Sequence, residues 1–221
     1  MVNCTQIFVE GDGDVKFISD YISHIKSNVK VEMNKKNSEI YVYNGNDKTL
    51  IAKIQSLGGW TKIKELKQTI IKHKDANDNV LIIFDADTEN NNGGFTERKE
   101  DIENYGLKLD EIFLFPNNKD DGALEDLLEN IINQANKPIF DCWNKFEDCL
   151  QKCASEKIKK ELTIPAKKSK IYVYLEALLD KTKEEKEKVK DPNREYRIKE
   201  HWNLDSEYLA PFKNFLEKYL K

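Results

Sequence analysis

Residues 80–87 read VLIIFDAD, and this octapeptide decides the fold. Val80, Leu81, Ile82, Ile83 and Phe84 follow one another without a polar interruption. A strand reads this way when helices cover both of its faces, because neither set of alternate side chains meets water. The run stops at two carboxylates, Asp85 and Asp87, with one residue between them. In open parallel sheets, ligands sit just outside the carboxyl ends of such strands.

Working outward, residues 6–9 (QIFV) form a short apolar strand that runs into Glu10. Asp14 then opens a helical pattern in which Val15, Ile18, Ile22 and Ile25 recur at three- and four-residue steps. Residues 39–43 (EIYVY) are a second strand closed by Asn44 and Gly45, and Thr61 caps a helix carrying Ile63, Leu66, Ile70 and Ile71. Beyond the octapeptide come a turn-forming loop at 89–94 (ENNNGG), a polar helix over 96–105 and a strand at 112–115 (IFLF). A further helix runs through Leu124, Leu127, Leu128 and Ile131. This β-α-β-α-β-α-β-α order predicts an α/β fold, a four-stranded parallel sheet flanked by helices with right-handed crossovers.

After residue 136 strand signals thin out. The expected organisation is an α/β domain over 1–136 and a mainly helical C-terminal extension over 137–221 packed on it. Residues 181–191 (KTKEEKEKVKD) alternate charge and read as a solvated helix or linker. Asp205 or Ser206 caps a last helix with Leu209, Phe212, Phe215, Leu216 and Tyr219 on its inner face.

The chain has 221 residues, 39% of them hydrophobic and 34% charged, with a net charge of −4. That permits a real core and argues against a simple basic nucleic-acid binder. It leaves open an enzyme that meets nucleic acid through divalent cations. No stretch approaches the ~18 apolar residues of a membrane helix. The opening MVNCTQIFVEGDG lacks a basic region followed by an apolar one, so a cytoplasmic protein is expected. Cys142, Cys149 and Cys153 fall on one side of a helix without a C-x-x-C pair, which predicts a buried apolar face rather than a zinc site. Trp60, Trp143 and Trp202 read as core or interface residues.

The acids fall into three groups at the expected strand ends: Glu10 with Asp12 and Asp14, the Asp85/Asp87 pair, and Asp120, Asp121, Glu125 and Asp126 around the start of the fourth helix. For any one of them a helix cap or turn is a sufficient explanation. Gathered at one sheet edge, they repel and lose hydration unless a cation or proton compensates. Oxygen ligands without histidine favour Mg²⁺ or Mn²⁺, and phosphoryl-transfer chemistry follows from a magnesium that retains its waters.

VEGDGD at 9–14 followed by FDAD at 84–87 resembles the glutamate and D-x-D motifs of TOPRIM domains, a compact Rossmann-like fold shared by primases, topoisomerases, recombination proteins and the OLD-family nucleases. LFPNNKDDGALEDLLE at 114–129 is similar to a small group of bacterial TOPRIM proteins near the OLD branch. The likeness covers roughly the first 130 residues and is looser beyond. It implies that Glu10 is a general acid/base or metal ligand, that Asp14, Asp85 and Asp87 bind metal, and that Glu125 is a further metal-site acid. It also implies a catalytic lysine from beyond the sheet, for which Lys168 and Lys170 are the candidates. Thr88 and Glu89 stand where a further motif acid is usual, leaving Glu89 as a possible substitute. The sequence contains no G-x-x-x-x-G-K-[ST], so any ATP control would come from a separate ATPase or partner protein.

The expected function is a metal-dependent nuclease acting on DNA or RNA. Primase-like nucleotidyl transfer with the same acids is the enzymatic alternative. A non-catalytic TOPRIM module binding nucleic acid or protein is the alternative from another class. Lys157, Lys159, Lys160, Lys167, Lys168 and Lys170 offer a phosphate-contact face, although such lysines also simply solvate helices.

Overall fold

In the computed structural model, residues 4–34, 39–105, 108–153, 162–179 and 182–220 are described. The strands are β1 (Thr5–Val9), β2 (Val29–Asn34), β3 (Glu39–Asn44), β4 (Leu50–Ser56), β5 (Asn79–Asp85) and β6 (Ile112–Phe115). The helices are α1 (Asp12–Ile25), α2 (Lys67–Asp75), α3 (Phe95–Glu103), α4 (Leu124–Asn130), α5 (Lys137–Lys152), α6 (Lys167–Leu178), α7 (Lys183–Lys188) and α8 (Ala210–Tyr219). A 3-10 turn, Trp60–Leu66, leads into α2.

The octapeptide strand, β5, lies between β1 and β6 in a sheet of order β2-β3-β4-β1-β5-β6. Its alternate residues divide between two cores. Leu81 and Ile83 join Ile7, Val9, Phe113 and Phe115 under α1 and α8. Val80, Ile82 and Phe84 join Phe8, Ile112 and Leu114 on the other face, against Ile63, Leu66, Ile70 and Ile102. Two covered faces explain the unbroken apolar sequence.

The expected four-stranded parallel sheet is corrected to a six-stranded mixed one. β4, β1, β5 and β6 run parallel, but β3 is antiparallel to both β2 and β4. The segment read as the second parallel strand, EIYVY, is therefore the middle of an antiparallel meander. Its Asn-Gly-Asn-Asp turn returns the chain directly into β4, with the Asn44 amide donating to the Thr49 carbonyl at 2.8 Å. A short polar turn joins antiparallel neighbours, whereas parallel ones need a long crossover.

The C-terminal segment does not build a core of its own. Ile171, Tyr174, Tyr196, Trp202, Phe212 and Leu216 belong to the same apolar cluster as β1 and β5. Phe212 lies against Phe113, Tyr21 and Phe115, with ring centroids 4.8, 5.4 and 5.5 Å apart. Ser206 accepts the Tyr208 amide at the turn before α8, as the sequence predicts for one of its two candidate caps.

The cysteines correct another expectation. Cys142 and Cys149 are exposed and Cys153 is half-buried, because α5 turns Phe140 and Trp143 inward instead. Two large aromatic rings remove more apolar surface from water than thiols do, and they set the helix rotation. Among the described residues no helix is long and apolar enough to cross a membrane.

Candidate functional site

Parallel pairing of β1 and β5 sets Val9 opposite Ile83, so Glu10 and Asp85 emerge at nearly the same level of the carboxyl edge. The chain folds back after Glu10 into α1, and Asp14 stands in its first turn. After β6 the chain returns to the same edge and starts α4, with Glu125 in its first turn. Glu10, Asp14, Asp85 and Glu125 consequently line one cleft of about 520 Å³.

The carboxylates of Glu10, Asp14 and Asp85 each accept one backbone amide. Glu10 accepts the Trp60 amide through Oε1 at 3.1 Å, while its carbonyl accepts the amides of Gly58 and Gly59. Asp14 accepts the Gly11 amide at 2.8 Å, and Asp85 accepts that of Leu124 at 2.8 Å. The helix-capping reading of Asp14 is thus correct as far as it goes. It does not account for the electrostatics. Burial, the Glu10 and Glu125 charges push the Asp14 carboxyl up to about 7 against the Gly11 hydrogen bond. Burial first, then Asp14, Glu125 and Glu10, holds Asp85 well above the usual carboxylate range. Burial and the Asp87 charge raise Glu10 as well, and its Oε2 is buried without a hydrogen-bond partner among the described residues.

Asp87 has a different environment. It adopts a left-handed backbone, φ 58°, and pairs with Gly122 through reciprocal amide–carbonyl bonds of 2.7 and 2.8 Å. Its carboxylate accepts Arg98 Nη2 at 2.6 Å, and the Arg98 guanidinium stacks 4.0 Å from the Trp60 ring centroid. Gly93 is required here: a Cβ would come within 2.5 Å of the Asp87 Cβ and 2.8 Å of the Ala86 carbonyl. Of the two motif aspartates, Asp85 lines the cleft and Asp87 is neutralised by an arginine beside it.

The opposite wall comes from the C-terminal segment. Lys168, in the first turn of α6, lines the cleft and forms an ion pair with Asp191. Burial opposes its charge, but Asp191 and Glu125 hold its ammonium above the ordinary lysine range. Asp191 also accepts Arg194 Nη2 at 2.8 Å and the Tyr172 hydroxyl at 3.2 Å. Arg194 is buried and further donates to the Val189 carbonyl and the Tyr196 hydroxyl. Lys170 stands apart, paired with Glu129 at 2.9 Å over the Phe140 ring. Lys167 pairs with Asp126, and Glu89 begins a short 3-10 turn outside the cleft lining. Lys157, Lys159 and Lys160 lie outside the described residues.

Asp191 and Arg194 escaped the sequence reading, which treated 181–191 as solvated. The available signal was the break in lysine–glutamate alternation at DPNREY, 191–196, where a turn brings an arginine and a tyrosine.

Among the described residues, no three histidine, cysteine or acidic side chains converge closely enough to hold a metal ion as placed. The donor set is a hard-oxygen one, and among the described residues Glu10 Oε2 is buried with no hydrogen-bond donor. Hard-oxygen donors are the class that Mg²⁺ takes, one or two carboxylates at a time with several waters kept.

No curated protein and no solved structure matches the chain. The family described as "Protein of unknown function (DUF3226)" matches residues 5–221. With nearly the whole chain matched, the protein belongs to the DUF3226 family.

Proposed function

We propose that the protein is a TOPRIM-like, Mg²⁺- or Mn²⁺-dependent nuclease that hydrolyses phosphodiester bonds in DNA or RNA. One observation carries this reading: chain segments far apart in sequence deliver Glu10, Asp14, Asp85 and Glu125 to one cleft, where burial and mutual repulsion outweigh the attraction of Lys168 and hold Asp14 and Asp85 above the carboxylate range. Such a cluster costs stability and makes sense where a cation is bound during work. Asp14, Asp85 and Glu125 would hold the metal, which when bound supplies charge neutralisation at the phosphate. Glu10, raised by burial and by the Asp87 charge, is the group suited to proton transfer. Lys168 stands across the cleft as the phosphate contact, and its Asp191 partner fixes it there.

The test is metal-dependent cleavage of single- and double-stranded DNA and RNA, comparing wild type with Asp85→Ala. Cleavage by wild type that is lost in the variant supports the enzyme. A non-catalytic module that binds nucleic acid or protein is the second reading, favoured by the Asp87–Arg98 ion pair, which neutralises one motif acid. Substrate binding without cleavage in either metal would establish it.

A further inference from the structure

The core-facing side of the sheet runs out to an uncovered edge. Cross-strand pairing aligns Met33 with Ile40 and Ile54, and Val31 with Val42 and Ala52. Ile40, Val42, Ala52 and Ile54 are buried, whereas Val31 and Met33 at the ends of these rows are 37% and 46% exposed. On the other face of β2, Lys30 and Glu32 are exposed and joined at 2.6 Å. β2 is the last strand of the sheet, and among the described residues no strand pairs with its outer edge. Exposed edges with apolar side chains are templates for further strand pairing.

The sequence of this edge is complementary to itself. Residues 29–33 read VKVEM. Laid antiparallel against a second copy and centred on Val31, Val31 meets Val31, Val29 meets Met33, and Lys30 meets Glu32 in both directions. A shift by two residues would instead oppose Lys30 to Lys30 or Glu32 to Glu32. A shift by one would turn the apolar set onto the charged face. Charge and apolar pattern therefore select one register. We propose that β2 is a homodimer seam, joining the sheets of two copies of this chain through antiparallel β2–β2 pairing about Val31. One six-residue edge buries less area than a standard stable interface, so the association is weak and concentration-dependent.

Sedimentation velocity of the full chain across micromolar concentrations tests this seam. Wild type is expected to dimerise reversibly. Lys30→Glu and Glu32→Lys each place like charges opposite one another, and each should weaken the dimer by about tenfold or more. Both positions are exposed, so circular dichroism should show an unchanged fold. An equimolar mixture of the two variants restores every opposite-charge pair and should recover dimer as a heterodimer, as should the double swap. A monomeric wild type overturns the proposal, as do dimers indifferent to both reversals and a mixture that stays monomeric.

Discussion

Asp85 Oδ1 accepts the Leu124 amide at 2.8 Å, tying the end of β5 to the first turn of α4. The bond brings Glu125, the next residue, to the edge that already carries Glu10 and Asp14. One amide does not offset burial together with three neighbouring carboxylates, and Asp85 stays above the carboxylate range. This imbalance gives the cluster properties that can be measured without knowing the substrate.

Asp85→Asn retains an oxygen acceptor for Leu124 and removes one of the repelling charges. The metal-free variant should be at least as stable as wild type near neutral pH. Wild type should gain about 1.4 kcal/mol at Mg²⁺ or Mn²⁺ tenfold above its Kd. For a chain of this size that is a rise of roughly 3–6 °C in Tm. Asp85→Asn should lose most of that rise. Equal metal responses in a thermal-shift comparison would remove Asp85 from the ligand set.

The Asp14 carboxyl, ordinarily at 3.8, lies at about 7 in the folded protein. Between those values the folded state binds more protons than the unfolded state, so this group's contribution to stability falls as pH rises and is constant above about 7. Metal-free protein should lose roughly 1–3 kcal/mol of that contribution between pH 4 and pH 8. Asp14→Asn should flatten the dependence. Urea titrations at several pH values in chelator read the slope, and an unchanged slope in the variant would exclude Asp14 as its source.

Glu10→Gln keeps an acceptor for the Trp60 amide while removing charge and basicity. Cleavage should fall by ~10²–10⁴-fold with the fold intact. Undiminished single-turnover cleavage would take Glu10 out of the chemistry.

Arg98 is buried between Asp87 and the Trp60 ring. Removing one partner of a buried pair leaves an uncompensated charge, and Arg98→Ala should destabilise by about 3–5 kcal/mol. Asp87→Asn leaves the more deeply buried Arg98 charge without its carboxylate, so it should destabilise comparably even though the Trp60 stack is kept. A shift in urea midpoint below that of a surface substitution would show that the pair does not hold this loop.

The two candidate lysines should now separate. Lys168→Ala should weaken substrate binding and cleavage, with a reduced dependence on salt, because one phosphate contact is lost. Lys170→Ala should leave cleavage unchanged, since its ammonium pairs with Glu129 away from the cleft. Equal losses in both variants would contradict this assignment.

The amino-acid sequence alone determined the elements whose burial is symmetrical or periodic. VLIIF had to be a strand covered on both faces, and Val15, Ile18 and Ile22 had to share one helix face, because these patterns follow from local geometry. The same reading placed Glu10, Asp14, Asp85 and Glu125 at strand ends or helix starts, and all four line one cleft. Strand direction was not legible for residues 39–43, since an alternating apolar strand looks the same parallel or antiparallel. β2, with its outer face in water, carries too little apolar signal to be recognised. Tertiary structure alone decided that Asp87 turns to Arg98, that Lys168 rather than Lys170 reaches the acids, and that Asp191 and Arg194 stand with it. Those outcomes depend on contacts such as Asp87–Arg98, 11 positions apart, and Lys168–Asp191, 23 apart, and no local pattern encodes which charge meets which across such separations.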